Sequence, residues 1–330
     1  MHAPVLRGGC LPVLLLVMQA MTGCVVTPAA SGPPPGRPVS VELEATPFHP
    51  QTSHQCGPAA LATVLGAAGV AVSPAALADE VYLPGREGSL QAELAAAVRA
   101  RGLLAYEVGE ETDDLYAQLA AGTPVLVLQR LGAGPWPGWH YAVLVGYDSQ
   151  ADRVILRSGE ERRQQMSAAR FEATWERGGR WAIVVIQPGE LPANPEPARY
   201  LEAAAALETM PNPQAAARAY AAAAERWPRE PLPWLGRGNV AAGQGNWTQA
   251  ERAFRTALEI DRTSAAALNN RAEALHQLGC HEAAMQALQA GMPAIAADDA
   301  LRPILEQTRR EIEAGPAVAP AVGCSQFTPH

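Results

Sequence analysis

Lysine is missing altogether: all 25 basic residues are arginine, set against 33 acidic ones, for a formal net charge of −8. An acidic chain without an arginine-rich face interleaved with aromatics lacks the electrostatic footprint of a polyanion binder, which excludes nucleic acid as the main partner. Aromatics are scarce, at 5%. Beyond the first two dozen residues no run is long and apolar enough to cross a bilayer, which excludes a polytopic membrane protein. What remains, 48% hydrophobic and 18% charged over 330 residues, is the composition of a folded globular protein of two domains. Alanine is so abundant that alanine-rich stretches are weaker helix evidence than usual.

The chain opens with Arg7, a short apolar core from Leu11 to Met18, and Met21-Thr22-Gly23-Cys24. This is a targeting segment. Small residues ahead of the cysteine resemble the bacterial lipoprotein signal, which implies that residues 1–23 are removed and Cys24 is lipidated. Val25 follows it, and no Asp, which by the same resemblance implies a lipoprotein of the bacterial cell envelope, facing the periplasm from the outer membrane. Residues 24–40, with Gly32-Pro33-Pro34-Pro35-Gly36, read as a tether. Of the remaining cysteines, Cys10 leaves with the signal. Cys56, Cys280 and Cys324 are left for an oxidising compartment, with Cys56 the natural free thiol and Cys280–Cys324 a possible disulfide.

The most informative stretch runs Gln51-Thr52-Ser53-His54-Gln55-Cys56-Gly57-Pro58. Pro58 suits a first helical turn, and Leu61, Val64 and Leu65 recur at helical spacing, so Cys56 sits at a helix start. There the unpaired N–H groups and the positive end of the macrodipole favour the thiolate, the nucleophilic form. Gln51 can offer an amide to an oxyanion beside the sulfur, with Gln55 as the weaker candidate.

Downstream, Val41–Glu44 alternates like a strand. Helices are expected at Pro74–Val81, with Ser73 as N-cap, at Ser89–Arg101 and at Thr112–Ala121, with a strand at Leu103–Val108 between the last two. Val125–Leu128, His140–Gly146, Val154–Leu156 and Trp181–Ile186 then read as strands, an α+β pattern over residues 41–187. The proline-rich stretch 188–197 reads as a linker. Past it, Ala216, Ala250 and Ala284 lie 34 apart, as do Tyr220, Phe254 and Leu288. Together with Trp234, Gly238, Gly245 and Trp247, this period resembles the tetratricopeptide repeat. The resemblance implies an all-α array over 198–314, capped by Leu301–Ile312, and a tail over 315–330.

A nucleophilic cysteine needs a base. His2 and His330 are terminal, His276 and His281 fall in the repeats, and His49 and His54 share the cysteine's own loop. His140, 84 residues after Cys56, opens a strand on a sheet that can hold an imidazole. If that strand pairs with the next around a turn near Gln150, His140 faces residue 160, and both Ser158 and Glu160 fall on its side to orient the ring. Asp148 and Asp152 lie in the turn.

Gln51–Leu65 with His140–Asp148 resembles the papain-like cysteine peptidases, in the bacterial branch that holds the double-glycine leader peptidases. The resemblance implies Gln51 as oxyanion donor, Cys56 as nucleophile and His140 as base. It also implies an orienting Asp-Pro where Arg157-Ser158-Gly159 stands, which leaves Ser158 or Glu160 for the role. The expected activity is peptide-bond hydrolysis on a peptide or protein substrate, with no metal and no cofactor. A protein partner on the repeat face and a membrane contact through the lipid anchor alone complete the expectation. An acyltransferase using the same thiolate, or a non-catalytic binding lipoprotein, are the alternatives.

Overall fold

The computed structural model describes residues 37–51, 55–132, 138–315 and 324–327. The signal segment, Cys24, His54 and residues 316–323 of the tail lie outside the described residues.

In chain order the elements are β1 (Ser40–Glu42), α1 (Cys56–Ala67), α2 (Pro74–Val81), α3 (Gln91–Ala100), β2 (Leu104–Glu107), α4 (Thr112–Ala120), β3 (Val125–Leu131), β4 (Gly138–Asp148), β5 (Arg153–Ser158), β6 (Glu161–Ser167), α5 (Ala168–Arg177) and β7 (Ala182–Ile186). A helical region follows: α6 (Pro197–Ala205), α7 (Pro213–Arg226), α8 (Pro231–Gly243), α9 (Trp247–Ile260), α10 (Ala265–Gln277), α11 (His281–Gly291) and α12 (Arg302–Glu313). Ser73 caps α2 by accepting from the Ala76 N–H, as its position predicts.

The strands form one antiparallel sheet in the order β2-β7-β3-β4-β5-β6, with β1 beside the far end of β4. Its two faces are covered differently. On the front, Leu126, Tyr141, Val143 and Ile183 pack with Leu61 and Leu65 of α1, Leu77 of α2 and Leu94 of α3. On the back, Val127, Leu144, Leu156 and Val184 pack with Phe171 and Trp175 of α5. Sheet strands covered on both faces read as unbroken apolar runs, which is why β3 and β4 stand out in the sequence. Two elements do not. Strand β6 is Glu161-Arg162-Arg163-Gln164-Gln165-Met166-Ser167, an exposed edge strand whose charges blunt edge-to-edge pairing and hide the alternation. Helix α5 inserts Phe171 and Trp175, both fully buried, from a segment whose other residues are alanine, threonine and charged side chains. Removing either ring would cost roughly 3–5 kcal/mol.

Pro188–Pro197 is held in place at several points. The Gln118 side chain donates to the Ala193 carbonyl and accepts from its N–H, and the Tyr106 hydroxyl accepts from the Glu196 N–H. The back-face core then continues without a break through Tyr200, Ala204, Ala216 and Tyr220 to Val240. The first repeat helices thus rest directly on the sheet. Within the array, a side chain at Gly238 would collide with the Phe254 ring, its Cβ falling 2.2 Å from Cε1, so the glycine lets α8 and α9 approach. Cys280 and Cys324 are disulfide-bonded, tying the tail to the start of α11.

Candidate active site

Helix α1 begins at Cys56 and is buried around its whole circumference from Gly57 to Leu65. Cys56 is half-buried and is the free cysteine among the described residues. Its backbone lies in the first turn, where unpaired N–H groups concentrate positive potential. Gly57 is required by packing, since a Cβ there would lie 2.5 Å from Ser89 Oγ. Ser89 Oγ is itself buried without a hydrogen-bond partner. The Cys56 sulfur makes no hydrogen bond among the described residues. The Tyr141 phenol is pushed up mainly by burial and secondly by its electrostatic proximity to Cys56. Tyr141 also donates to the Ser89 carbonyl at 3.2 Å, so it spans from β4 to the loop before α3 on the cysteine's side of the sheet.

His140 immediately precedes Tyr141 in β4. Beside the turn β4 and β5 pair Asp148 with Arg153, and a bulge between Leu144 and Gly146 shifts the register by one residue to Val143 with Arg157, which puts Ser158 on the His140 side of the sheet. Nε2 of His140 lies 2.9 Å from Ser158 Oγ, and Ser158 is only 4% exposed. Glu160 is exposed and makes no bond to the ring. Of the two candidates for orienting the imidazole, the structure brings Ser158 to it. Burial holds the His140 pKa below the usual histidine value.

Gln51 meets both halves of this pair. Its N–H donates to the Gly159 carbonyl at 2.9 Å, its Oε1 accepts from the Gly159 N–H at 3.1 Å, and its Nε2 donates to the Tyr141 carbonyl at 3.3 Å. The residue after His140 and the residue after Ser158 are therefore clamped by one side chain. One of the two Nε2 hydrogens is used in that clamp, and the second is not. Gln55 is exposed at the start of α1 and gives no side-chain cap to it.

Three contributors were not singled out by the sequence: Ser89, Tyr141 and Arg157. Arg157 is 3% exposed, and its guanidinium donates to the carbonyls of Thr46, Leu43, Glu44 and Arg162, at 2.6 to 3.4 Å. Burial, and then the neighbouring Arg162, lower its pKa. By gathering the carbonyls of residues 43–46, it fixes the segment that leads to Gln51. An arginine closing the apolar run Val154-Ile155-Leu156 was the available signal, since a buried guanidinium needs acceptors. Ser89 carried none, lying at an expected helix start. No group of three or more potential metal ligands occurs among the described residues, and no helix among them is long and apolar enough to cross a membrane.

The arrangement supplies a thiol at a helix N-terminus, an imidazole bonded to a hydroxyl, and an amide anchored to the residues that follow the imidazole and the hydroxyl. Residues 43–183 match the C39-like peptidase family, and residues 201–264 and 235–300 match the tetratricopeptide repeat. Similar solved structures include a candidate C39-like peptidase from Bacillus anthracis, 21% identical, covering 45% of this chain and 98% of that one, with a TM-score of 0.37. Another is the peptidase domain of Streptococcus ComA, a bi-functional ABC transporter involved in a quorum-sensing pathway. It is 24% identical, covers 42% of this chain and 97% of that one, and has a TM-score of 0.35. Among curated proteins none matches the chain.

Proposed function

We propose that this chain, a C39-like peptidase domain followed by tetratricopeptide repeats, hydrolyses peptide bonds through Cys56 and His140. The observation that carries the reading is the bond between His140 Nε2 and Ser158 Oγ. With Nε2–H donating to the hydroxyl, Nδ1 is the basic nitrogen, and the ring has one tautomer suited to accept the thiol proton.

Cys56 Sγ gives its proton to His140 Nδ1 and attacks the substrate carbonyl carbon. The oxyanion takes hydrogen bonds from the Cys56 N–H and from the second Nε2 hydrogen of Gln51. His140 returns the proton to the leaving amine, leaving an acyl-thioester. A water molecule, deprotonated by the same nitrogen, then releases the acid and restores the thiol. A neutral serine stabilises the imidazolium less than a carboxylate does, and burial opposes the charged ring further.

In this reading Cys24 carries the lipid, the enzyme faces the periplasm from the outer membrane, and the repeats receive a protein partner or the substrate's carrier. The test is alkylation of Cys56 by iodoacetamide, followed by mass spectrometry. Labelling of Cys56 that slows on His140→Ala supports the pairing, and labelling indifferent to that change contradicts it.

A further inference from the structure

A cavity of about 510 Å³ opens between α8 and α9, lined by Trp234, Arg237, Asn246, Gln249, Arg252 and Thr256 among others, with no carboxylate in its wall. That is unusual in a chain of net charge −8. The guanidinium carbon of Arg237 lies 4.7 Å from the centroid of the Trp234 ring. A cation–π contact of this kind steadies the guanidinium while leaving it donors for a planar acceptor. Neither Arg237 nor Arg252 has an ion-pair partner among the described residues. Arg255, one turn along the same helix from Arg252, is paired with Glu251 and Glu259. The indole Nε1 of Trp234 is buried and makes no hydrogen bond, a state that native structures rarely leave unexplained. The cavity also adjoins the first turn of α9, the positive end of a 14-residue helix.

We infer that this cavity binds an acidic polypeptide segment, with Arg237 and Arg252 receiving side-chain carboxylates. Carboxylates fit the guanidinium edge in the bidentate manner, whereas the volume far exceeds that of one small anion. The indole face and the hydroxyl and amide groups of Thr256, Asn246 and Gln249 suit the backbone of an extended peptide. The site lies within a single helical hairpin of the repeats, apart from Cys56 and His140, and its occupancy does not depend on hydrolysis.

The experiment is fluorescence anisotropy on the full chain carrying Cys56→Ala, with a labelled octapeptide of alternating glutamate and glycine and its glutamine counterpart, both amidated. The glutamate peptide should bind about tenfold or more tightly than the glutamine one, since charge-assisted bonds are about twice as strong as neutral ones. Arg237→Gln and Arg252→Gln should each weaken it about tenfold. Arg237→Lys, which keeps the charge and loses the fork, should fall between, and Arg255→Gln should leave affinity unchanged. Melting curves confirm that each variant is folded. Equal affinity for the two peptides would overturn the inference, as would full affinity after Arg237→Gln or Arg252→Gln. Displacement of the glutamate peptide by an equal concentration of inorganic phosphate would overturn it too, by showing a site for simple anions.

Discussion

Ser158 Oγ lies 2.9 Å from Nε2 of His140, a bond from β5 to β4 that stands where a papain-like triad has a carboxylate. Ser158→Ala removes the acceptor and leaves the ring without its orienting partner. Losing a hydrogen bond of about 1 kcal/mol predicts a fall of about fivefold in kcat, with KM little changed. Ser158→Asp places a charge beside the imidazole, favours the imidazolium and moves the acid limb of the kcat/KM profile to higher pH. A profile unmoved by either change would remove Ser158 from the mechanism.

Burial lowers the His140 pKa, so the neutral base persists below the ordinary histidine value near 6.5. The acid limb of kcat/KM for the natural chain is therefore expected below that pH. Stability carries the same sign: the unfolded chain binds a proton at this position more readily than the folded one. The stability this group contributes is full above about pH 6.5 and is lost as pH falls through the window down to the depressed folded value. Following the His140 ring by NMR titration checks the direction, and a pKa above the ordinary value would contradict it.

Arg157 donates to four carbonyls from a buried position. Arg157→Met leaves several buried acceptors unpaired and is expected to cost about 2–4 kcal/mol. Arg157→Lys recovers little of this, because one ammonium cannot span acceptors that a planar fork reaches. Denaturant unfolding measures both, and a loss under about 0.5 kcal/mol, typical of surface changes, would contradict the clamp.

The sheet and the repeats share one apolar core from Val127 through Tyr200 to Val240. A chain ended at Gln187 would expose the face that α6 and α7 cover. Such a chain is expected to melt at a lower temperature than the whole protein and to bind a hydrophobic dye. Undiminished melting temperature and no dye binding would show that the sheet and its helices need no cover.

Much of this could be read from the residues, and where reading failed the reasons are physical. Cys56 was legible because Pro58 and the Leu61, Val64, Leu65 spacing mark a helix start, and Ser158 because a turn near Gln150 pairs β5 back along β4, although the bulge between Leu144 and Gly146 that sets the final register has no mark in the residues. The 34-residue period marked the repeats because each hairpin repeats the same packing, as with Gly238 against Phe254. Strand β6 escaped because an exposed edge strand need not alternate hydrophobic and polar residues. The pinning of Pro188–Pro197 escaped because prolines look alike in a linker and at a helix start, and Pro197 is the first residue of α6. The carbonyl partners of Arg157 lie more than a hundred residues away for three of the four, and no local pattern encodes such contacts.

The central claim, that Cys56 is the nucleophile of a peptidase, is tested most directly by incubating the full chain with a diverse peptide library and reading the products by mass spectrometry. Cleavage at defined sites is expected, abolished by Cys56→Ala and by His140→Ala, with an acyl-thioester on Cys56 trapped by acid quench. Cleavage that survives Cys56→Ala, or a library left intact by the natural chain, would contradict it.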